Sequence, residues 1–275
     1  MNSIKHVILM GLVVVMLLCL CTCIQQCRSG PEAETVPETT EAVVETTAPP
    51  PTEPPTTLEI IAEFAEENGL SLDDYPESMI TLLDRNPETK SFVLNYPLAS
   101  SLVHQVDLWE YALDDTVPLF MQWDQRWGYM DYGGEPAALS GCGPVSLSMV
   151  VCYLTRDFSY SPDYMIQYAL DNGYCSPGNG SYWSLMDGAG KAHGLDVYSF
   201  PPTEKDRLFS NLRAGNPIIC LMGPGDFTTA GHFIVMTGLE NDLIKINDPN
   251  SYANSQKLWD YDSIGDQITA LWVFE

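Results

Sequence analysis

Positive charge is scarce in this chain. Its 275 residues hold 12 Lys and Arg against 37 Asp and Glu, a formal net charge of −25. Nucleic-acid binders neutralise phosphates with basic stripes, so no nucleic-acid partner is expected. Attachment to anionic lipid through a polybasic patch is excluded on the same ground. Histidine is scarce too, with 4 residues, and no H-E-x-x-H occurs. Beyond residue 27 the cysteines are Cys142, Cys152, Cys175 and Cys220, and none form a C-x-x-C pair. No metal site is expected from such a set. There is no P-loop, and no G-x-G-x-x-G comes after a strand, so no cofactor is expected. Apolar residues are plentiful. At 45% hydrophobic and 11% aromatic, the chain has enough for a packed core, which rules out wholesale disorder.

The termini differ in character. Residues 1–27 contain no acid and one base, Lys5, with an uncharged, mostly apolar run of 18 residues after it, Val7 to Ile24. That pattern reads as a signal peptide or a membrane anchor. Cys19, Cys21, Cys23 and Cys27 crowd this segment. Leu20 and Thr22 ahead of Cys23 make an imperfect lipoprotein signal. A lipoprotein, an uncleaved anchor and a cleaved signal all put the rest of the chain in an extracytoplasmic, membrane-anchored or secreted position. Residues 28–57 are rich in Pro, Thr and Glu, without an aromatic. They cannot bury enough apolar area to offset ordering entropy, and are read as a disordered stalk. Fully extended, it would reach on the order of 80 Å.

Residues 58–115 read as a helical extension. Leu58, Ile61, Ala62 and Ala65 fall at helical spacing, with Gly69 as a stop; Met79, Leu82 and Leu83 make a second apolar face after Pro76, and a further short helix is expected over 88–95. This stretch makes a marginal core alone and is expected to pack on the domain C-terminal to it. Residues 116–275 alternate a helix-forming stretch with strand-like runs such as IICLM, HFIVMTG, LIKIND and ITALWVF. They read as an α+β domain.

The sharpest local feature is Ser140-Gly141-Cys142-Gly143-Pro144, with an apolar run after it to about Leu154. Pro144 suits the first helical position, placing Cys142 just ahead of a helix N-terminus, where the helix dipole favours thiolate. Gly141 and Gly143 are expected to open a path to the sulfur. Cys152, in the same helix, is read as core. A disulfide between Cys175 and Cys220 is not favoured.

A thiolate nucleophile needs an imidazole. His232 opens the run Gly231-His232-Phe233-Ile234-Val235 and is the candidate base. His193 reads as a helix-end cation and His104 as surface. If HFIVMTG and LIKIND pair around a turn at 239–242, residue i faces roughly 480 − i, so His232 faces Asp248. Asp248 is then the orienting carboxylate. An oxyanion donor upstream is expected from Gln122, in preference to Gln125. Trp123, Trp127 and Tyr129 are candidates to wall the cleft.

The strings Gln-Trp-Asp-Gln-Arg-Trp-Gly, Ser-Gly-Cys-Gly-Pro, Gly-His-Phe-Ile-Val and Asn-Asp-Pro-Asn-Ser together resemble papain-like cysteine peptidases. They resemble in particular the relatives of bacteriocin-processing peptidases that cut after double-glycine leaders. The resemblance covers roughly 116–275. It implies a papain-like fold, with the nucleophile helix packed on an antiparallel sheet, and the catalytic set Cys142, His232, Asp248 and Gln122. One departure stands out. The gap from Gln122 to Cys142 is 142 − 122 = 20 residues, longer than in the leader-processing enzymes, so an inserted segment must loop out. No transporter segments are seen, so a stand-alone member is expected. The expected activity is extracytoplasmic hydrolysis of a peptide or isopeptide bond, with a peptide, protein or cell-wall peptide as partner. Transglutaminase-like acyl transfer and an inactive peptide-binding module are the alternatives.

Overall fold

The apolar runs of residues 116–275 pair into one antiparallel sheet. The computed structural model describes residues 54–101 and 106–275. The anchor and most of the stalk, and His104, lie outside the described residues. Residues 54–275 form one compact unit. Helices are α1 Thr57–Asn68, α2 Glu77–Arg85, α3 Lys90–Leu94, α4 Ala137–Ser140, α5 Cys142–Thr155, α6 Pro162–Asp171, α7 Ser184–Ala192, α8 Lys205–Ala214, α9 Tyr252–Ser255 and α10 Tyr261–Ile264. Strands are β1 Cys175–Ser176, β2 Gly180–Ser181, β3 Val197–Tyr198, β4 Ile218–Met222, β5 His232–Glu240, β6 Leu243–Asn247, β7 Leu258–Trp259 and β8 Ile268–Phe274. The large sheet has the order β3-β8-β4-β5-β6-β7, and β1 and β2 form a small hairpin. The α+β expectation therefore stands. Among the described residues no helix is long and apolar enough to cross a membrane.

The central strands read as unbroken apolar runs because both sheet faces are covered. Ile219, Leu221, Phe233 and Val235 pack with α5, α6 and α7. Their neighbours Ile218, Cys220, Ile234 and Met236 pack on the opposite side with Leu208, Phe209 and Leu212 of α8. Helix α5 is apolar around its whole circumference, with Gly143 through Cys152 buried, as a helix enclosed by other elements must be.

The N-terminal helices make a third cluster that joins the rest. Ile61, Met79, Leu82, Leu83, Phe92 and Val93 pack with Ala138 of α4. Phe92 stacks on Tyr129 at 4.3 Å between ring centres. Thr56 caps α1 in a capping box with Glu59, and Gly69 ends it with φ 68°. The short helix expected over 88–95 is a 3₁₀ turn, Pro87–Thr89, running into α3.

The β5–β6 hairpin differs from the expected register. Its loop is two residues, Asn241 and Asp242, with φ 52° and 61°, the left-handed pair of a type I′ turn. Near the turn, partner numbers sum to 483, as in Gly238 with Lys245; beyond a bulge at Thr237 they sum to 482, as in Val235 with Asn247. The arithmetic of 480 was wrong because it assumed a longer loop and an unbroken ladder. In the observed register Asp248, one residue past β6, aligns with position 234, so it lies diagonal to His232 and not opposite it. The bulge sets the parity. A sum of 483 carried through would have turned Asp248 and His232 to opposite faces.

Candidate active site

Helix α5 begins at Cys142, with Gly141 as its N-cap and only that residue separating it from α4. Cys142 is thus the first helical residue, and Pro144 the third. The glycines also meet a packing demand that the sequence does not show. A Cβ on Gly141 would stand 2.6 Å from the Ala137 carbonyl oxygen, and one on Gly143 2.6 Å from Ser181 Oγ. Both are required by the tight α4–α5 corner and the β2 strand, where Ser181 Oγ also shares a 2.7 Å hydrogen bond with the Tyr132 hydroxyl.

His232 starts β5, pairs with Met222 of β4, and is buried. Its Nε2 lies 2.7 Å from Asp248 Oδ1. Its ring and the Cys142 thiol line the same groove and are near enough for each to shift the other's ionisation. With Nε2 committed to the carboxylate, Nδ1 is left to face the sulfur. Asp248, at 1% exposure, is held on every side. Oδ1 also accepts from the Asn250 N–H at 2.9 Å, Oδ2 from Asn254 Nδ2 at 3.0 Å, and its own N–H donates to Ser255 Oγ at 2.9 Å.

The electrostatics arise from these contacts. Burial pushes the Cys142 thiol up. The hydrogen bond and charge of His232, with the backbone N–H groups of Phe233 and Gly143, outweigh it and leave the thiol below its ordinary value. Burial alone would push His232 down, but Asp248 first, and the sulfur second, raise it to about 10. Burial likewise opposes ionisation of Asp248, and His232, Asn254 and Asn250 reverse that and hold it low. All three directions favour a thiolate–imidazolium pair beside a carboxylate. Cys152 is buried with its thiol pushed up to about 12. Cys220 is buried in the sheet core and its thiol is also raised. Cys175 and Cys220 are both free thiols.

Gln122 is buried beside the site. Its N–H donates to the Pro249 carbonyl at 2.7 Å, and its Nε2 donates to the Ala138 carbonyl at 2.6 Å. One amide hydrogen is therefore spent on α4 and one remains. Gln122 Oε1 and Asn250 Oδ1 are buried acceptors without a protein partner. Gln125 points elsewhere, donating to Ser91 Oγ at 2.8 Å on the exposed surface. The segment between Gln122 and Cys142 folds back through buried Trp127 and Tyr132 and α4, which is how so long a gap returns Gln122 to the cleft.

Cys142 borders two grooves. The larger, about 610 Å³, is lined by Gln122, His232, Asn250, Phe227 and the α2 residues Ser78, Thr81 and Arg85. The smaller, about 390 Å³, is lined by Gly178, Ser181, Trp183, Leu221 and Phe233. Trp123, Trp127 and Tyr129 line neither groove. Trp127 is core, Trp123 Nε1 donates to the Asn250 carbonyl at 3.2 Å, and the Tyr129 hydroxyl donates to the Phe92 carbonyl at 2.8 Å. His193 sits at the end of α7 as expected, with its ring held by neighbouring groups. Nδ1 is 2.7 Å from the Ala189 carbonyl, Nε2 is 3.1 Å from the Tyr164 hydroxyl, and the rings of Tyr160 and Tyr168 close around it. The contribution of α2 to the cleft was missed. Its apolar face predicts burial, but nothing in a helix's own periodicity says that its flank borders a groove.

Residues 114–273 match the Peptidase_C39 like family. No curated protein matches the chain. Among solved structures, the peptidase domain of Streptococcus ComA, a bi-functional ABC transporter involved in a quorum sensing pathway, is similar at 22% identity. The match covers 57% of this chain and 96% of that one, with a TM-score of 0.39. A Bacillus anthracis protein described as a C39-like peptidase is similar at 16% identity, over 58% of this chain and 95% of that one, with a TM-score of 0.38.

Proposed function

The chain belongs to the Peptidase_C39 like family, and from that premise we propose that it hydrolyses a peptide or isopeptide bond through a Cys142–His232–Asp248 triad. The observation that carries the reading is the 2.7 Å bond from His232 to the buried Asp248, with Cys142 and His232 side by side on one cleft. The Cys142 thiolate attacks the substrate carbonyl, forming a tetrahedral oxyanion. The Cys142 N–H at the start of α5 and the second amide hydrogen of Gln122 supply the donors for it. Collapse breaks the C–N bond; the His232 imidazolium gives its proton to the leaving nitrogen, and a Cys142 thioester remains. Water, deprotonated by the now neutral imidazole, attacks that thioester and releases the acid and the thiol. Asp248 keeps the ring oriented and stabilises its charged form throughout.

The grooves give the substrate a direction. His232 lines the larger groove and not the smaller one. The group it protonates departs on that side, so the amine half of the substrate occupies the larger groove. The acyl half lies in the smaller groove, against Gly178, Leu221 and Phe233. The Lys5-to-Ile24 pattern and the stalk support action outside the cytoplasmic membrane, toward peptides of the envelope. Within that arrangement residues 1–27 are the anchor or signal and 116–275 the peptidase domain; the stalk from 28 ends at 53, short of the expected 57, because Thr56 caps α1 and Thr57 begins it, so the helical extension spans 54–115.

The direct test is a neutral thiol-reactive probe on the full chain, with identification of the labelled residue. Selective labelling of Cys142 at neutral pH, lost together with peptide hydrolysis in Cys142→Ala, is expected. A wild-type Cys142 no more reactive than an ordinary thiol would sink the proposal.

A further inference from the structure

The N-terminal helices precede the region matched by the family, which begins at residue 114. Two of their neighbouring side chains nevertheless grip the loop after Asp248. The Glu88 carboxylate takes both N–H groups at the start of α9, from Tyr252 at 2.7 Å and from Ala253 at 2.8 Å. Asn86 Nδ2 donates to the Asn250 carbonyl at 2.7 Å. The carboxylate is bidentate and charged, the stronger kind of hydrogen-bond acceptor. No Lys or Arg pairs with it among the described residues.

What Glu88 holds is what holds Asp248. Asn254 and Ser255 are the next residues of α9. Asn254 Nδ2 donates to Asp248 Oδ2 at 3.0 Å, and Ser255 Oγ accepts the Asp248 N–H at 2.9 Å. Asp248 sits past the end of β6, so the sheet ladder does not fix it. Helix α9 has four residues, too few to keep its own place by propagation of helical bonds. Beside the Ser251 cap and the Trp259 indole N–H on the Asn254 carbonyl, Glu88 is its anchor from a distant segment.

We propose that Glu88 is a positioning residue for the active site, which acts by pinning α9 so that Asn254 and Ser255 hold the Asp248 carboxylate against His232. This inference rests on the triad reading above. It assigns to the segment ahead of the family region a part in the chemistry, without contact with substrate.

The test measures the rate of Cys142 alkylation by iodoacetamide against pH in the full chain, with thermal melting alongside. The variants are Glu88→Gln, Glu88→Ala, Asn254→Ala and the double variant Glu88→Ala/Asn254→Ala. A less well held Asp248 stabilises imidazolium less, which stabilises thiolate less. The acid limb of the profile therefore moves to higher pH. For Glu88→Ala a shift of about half a pH unit, or about threefold in rate on that limb, is expected. Glu88→Gln, which keeps one acceptor oxygen, should shift it less. If both residues act along one path, the double variant shifts the limb no further than the larger single. A lowered melting temperature with an unmoved limb, or shifts that simply add, overturns the proposal. Should Glu88→Ala fail to fold, Glu88→Gln and Asn254→Ala carry the same comparison. A wild-type limb at the ordinary thiol position instead marks failure of the triad reading itself.

Discussion

Cys142 and Cys152 lie in one helix, ten residues apart, and differ in almost everything that decides reactivity. Both meet a burial penalty that opposes ionisation. At Cys142 an imidazole and two backbone N–H groups overcome it, and the thiol falls below its usual range. At Cys152 the nearest partners are Ser148 Oγ at 3.9 Å and the Tyr160 carbonyl at 3.3 Å. Burial is therefore not overcome there, and the thiol rises to about 12. Position along the helix matters as well. The first residue of α5 has free N–H groups nearby, whereas a residue eleven places in has none. Residue type therefore says little about a cysteine; the donors around its sulfur say nearly everything.

The comparison is broken most severely by removing the reactive member. Cys142→Ala is expected to abolish hydrolysis in a product assay, while Cys152→Ala keeps it. Next in size is the orienting carboxylate. Asp248→Asn should lower kcat by roughly 10³- to 10⁴-fold, the scale seen when a triad His loses its proper tautomer. A fall of less than tenfold in steady-state kinetics would mean that Asp248 does not orient the base.

The pH profile sharpens the contrast. The pair is thiolate and imidazolium between the lowered Cys142 value and the raised His232 value, about 10. Activity is thus expected to rise on the acid side below the ordinary thiol range and to fall on the alkaline side above the ordinary imidazole range. Stability depends on the same groups with definite signs. The Asp248 contribution is present above its unfolded value and lost as pH falls through its lowered folded value. The His232 contribution is complete below about 6.5, and is lost as pH rises through about 10. Melting temperature against pH, compared between wild type and His232→Ala, reads that alkaline loss.

A smaller effect is expected at the cleft wall. Thr81→Trp on α2 should raise KM for peptides with a bulky residue on the amine side of the scissile bond, by about tenfold for ~1.4 kcal/mol of lost binding. Iodoacetamide alkylation of Cys142 should not change, since that reagent needs no groove. The smallest effect falls to Cys152→Ala. It should leave kcat within about twofold and cost on the order of 1 kcal/mol in denaturant unfolding, as removal of a small buried side chain does.

The legible parts of the fold were those written in local pattern. An apolar run around Pro144 is enough to announce α5, and two strand-like runs with Asn241-Asp242 between them announce the β5–β6 hairpin. The strings around Cys142, His232, Asp248 and Gln122 could be picked out for their chemistry; the structure places Cys142, His232 and Gln122 along one groove, with Asp248 buried behind His232. Their detailed placement was less accessible. The Thr237 bulge has no sequence mark, and it changes every partner beyond it. The packing demand at Gly141 and Gly143 was hidden too, because a sequence does not show Ala137 and Ser181 standing against them. Glu88 lies 164 residues from Tyr252, and a contact at that separation leaves no trace in periodicity or spacing. Whatever depends on two distant segments meeting was hidden for the same reason.

The bulge at Thr237 has a practical consequence. It absorbs one residue between the hairpin tip and the strand ends, so the tip obeys one register and the chemistry another. Asn241 and Asp242, both exposed, lie on the far side of that joint from His232. The hairpin tip therefore offers a place to attach a label away from the cleft.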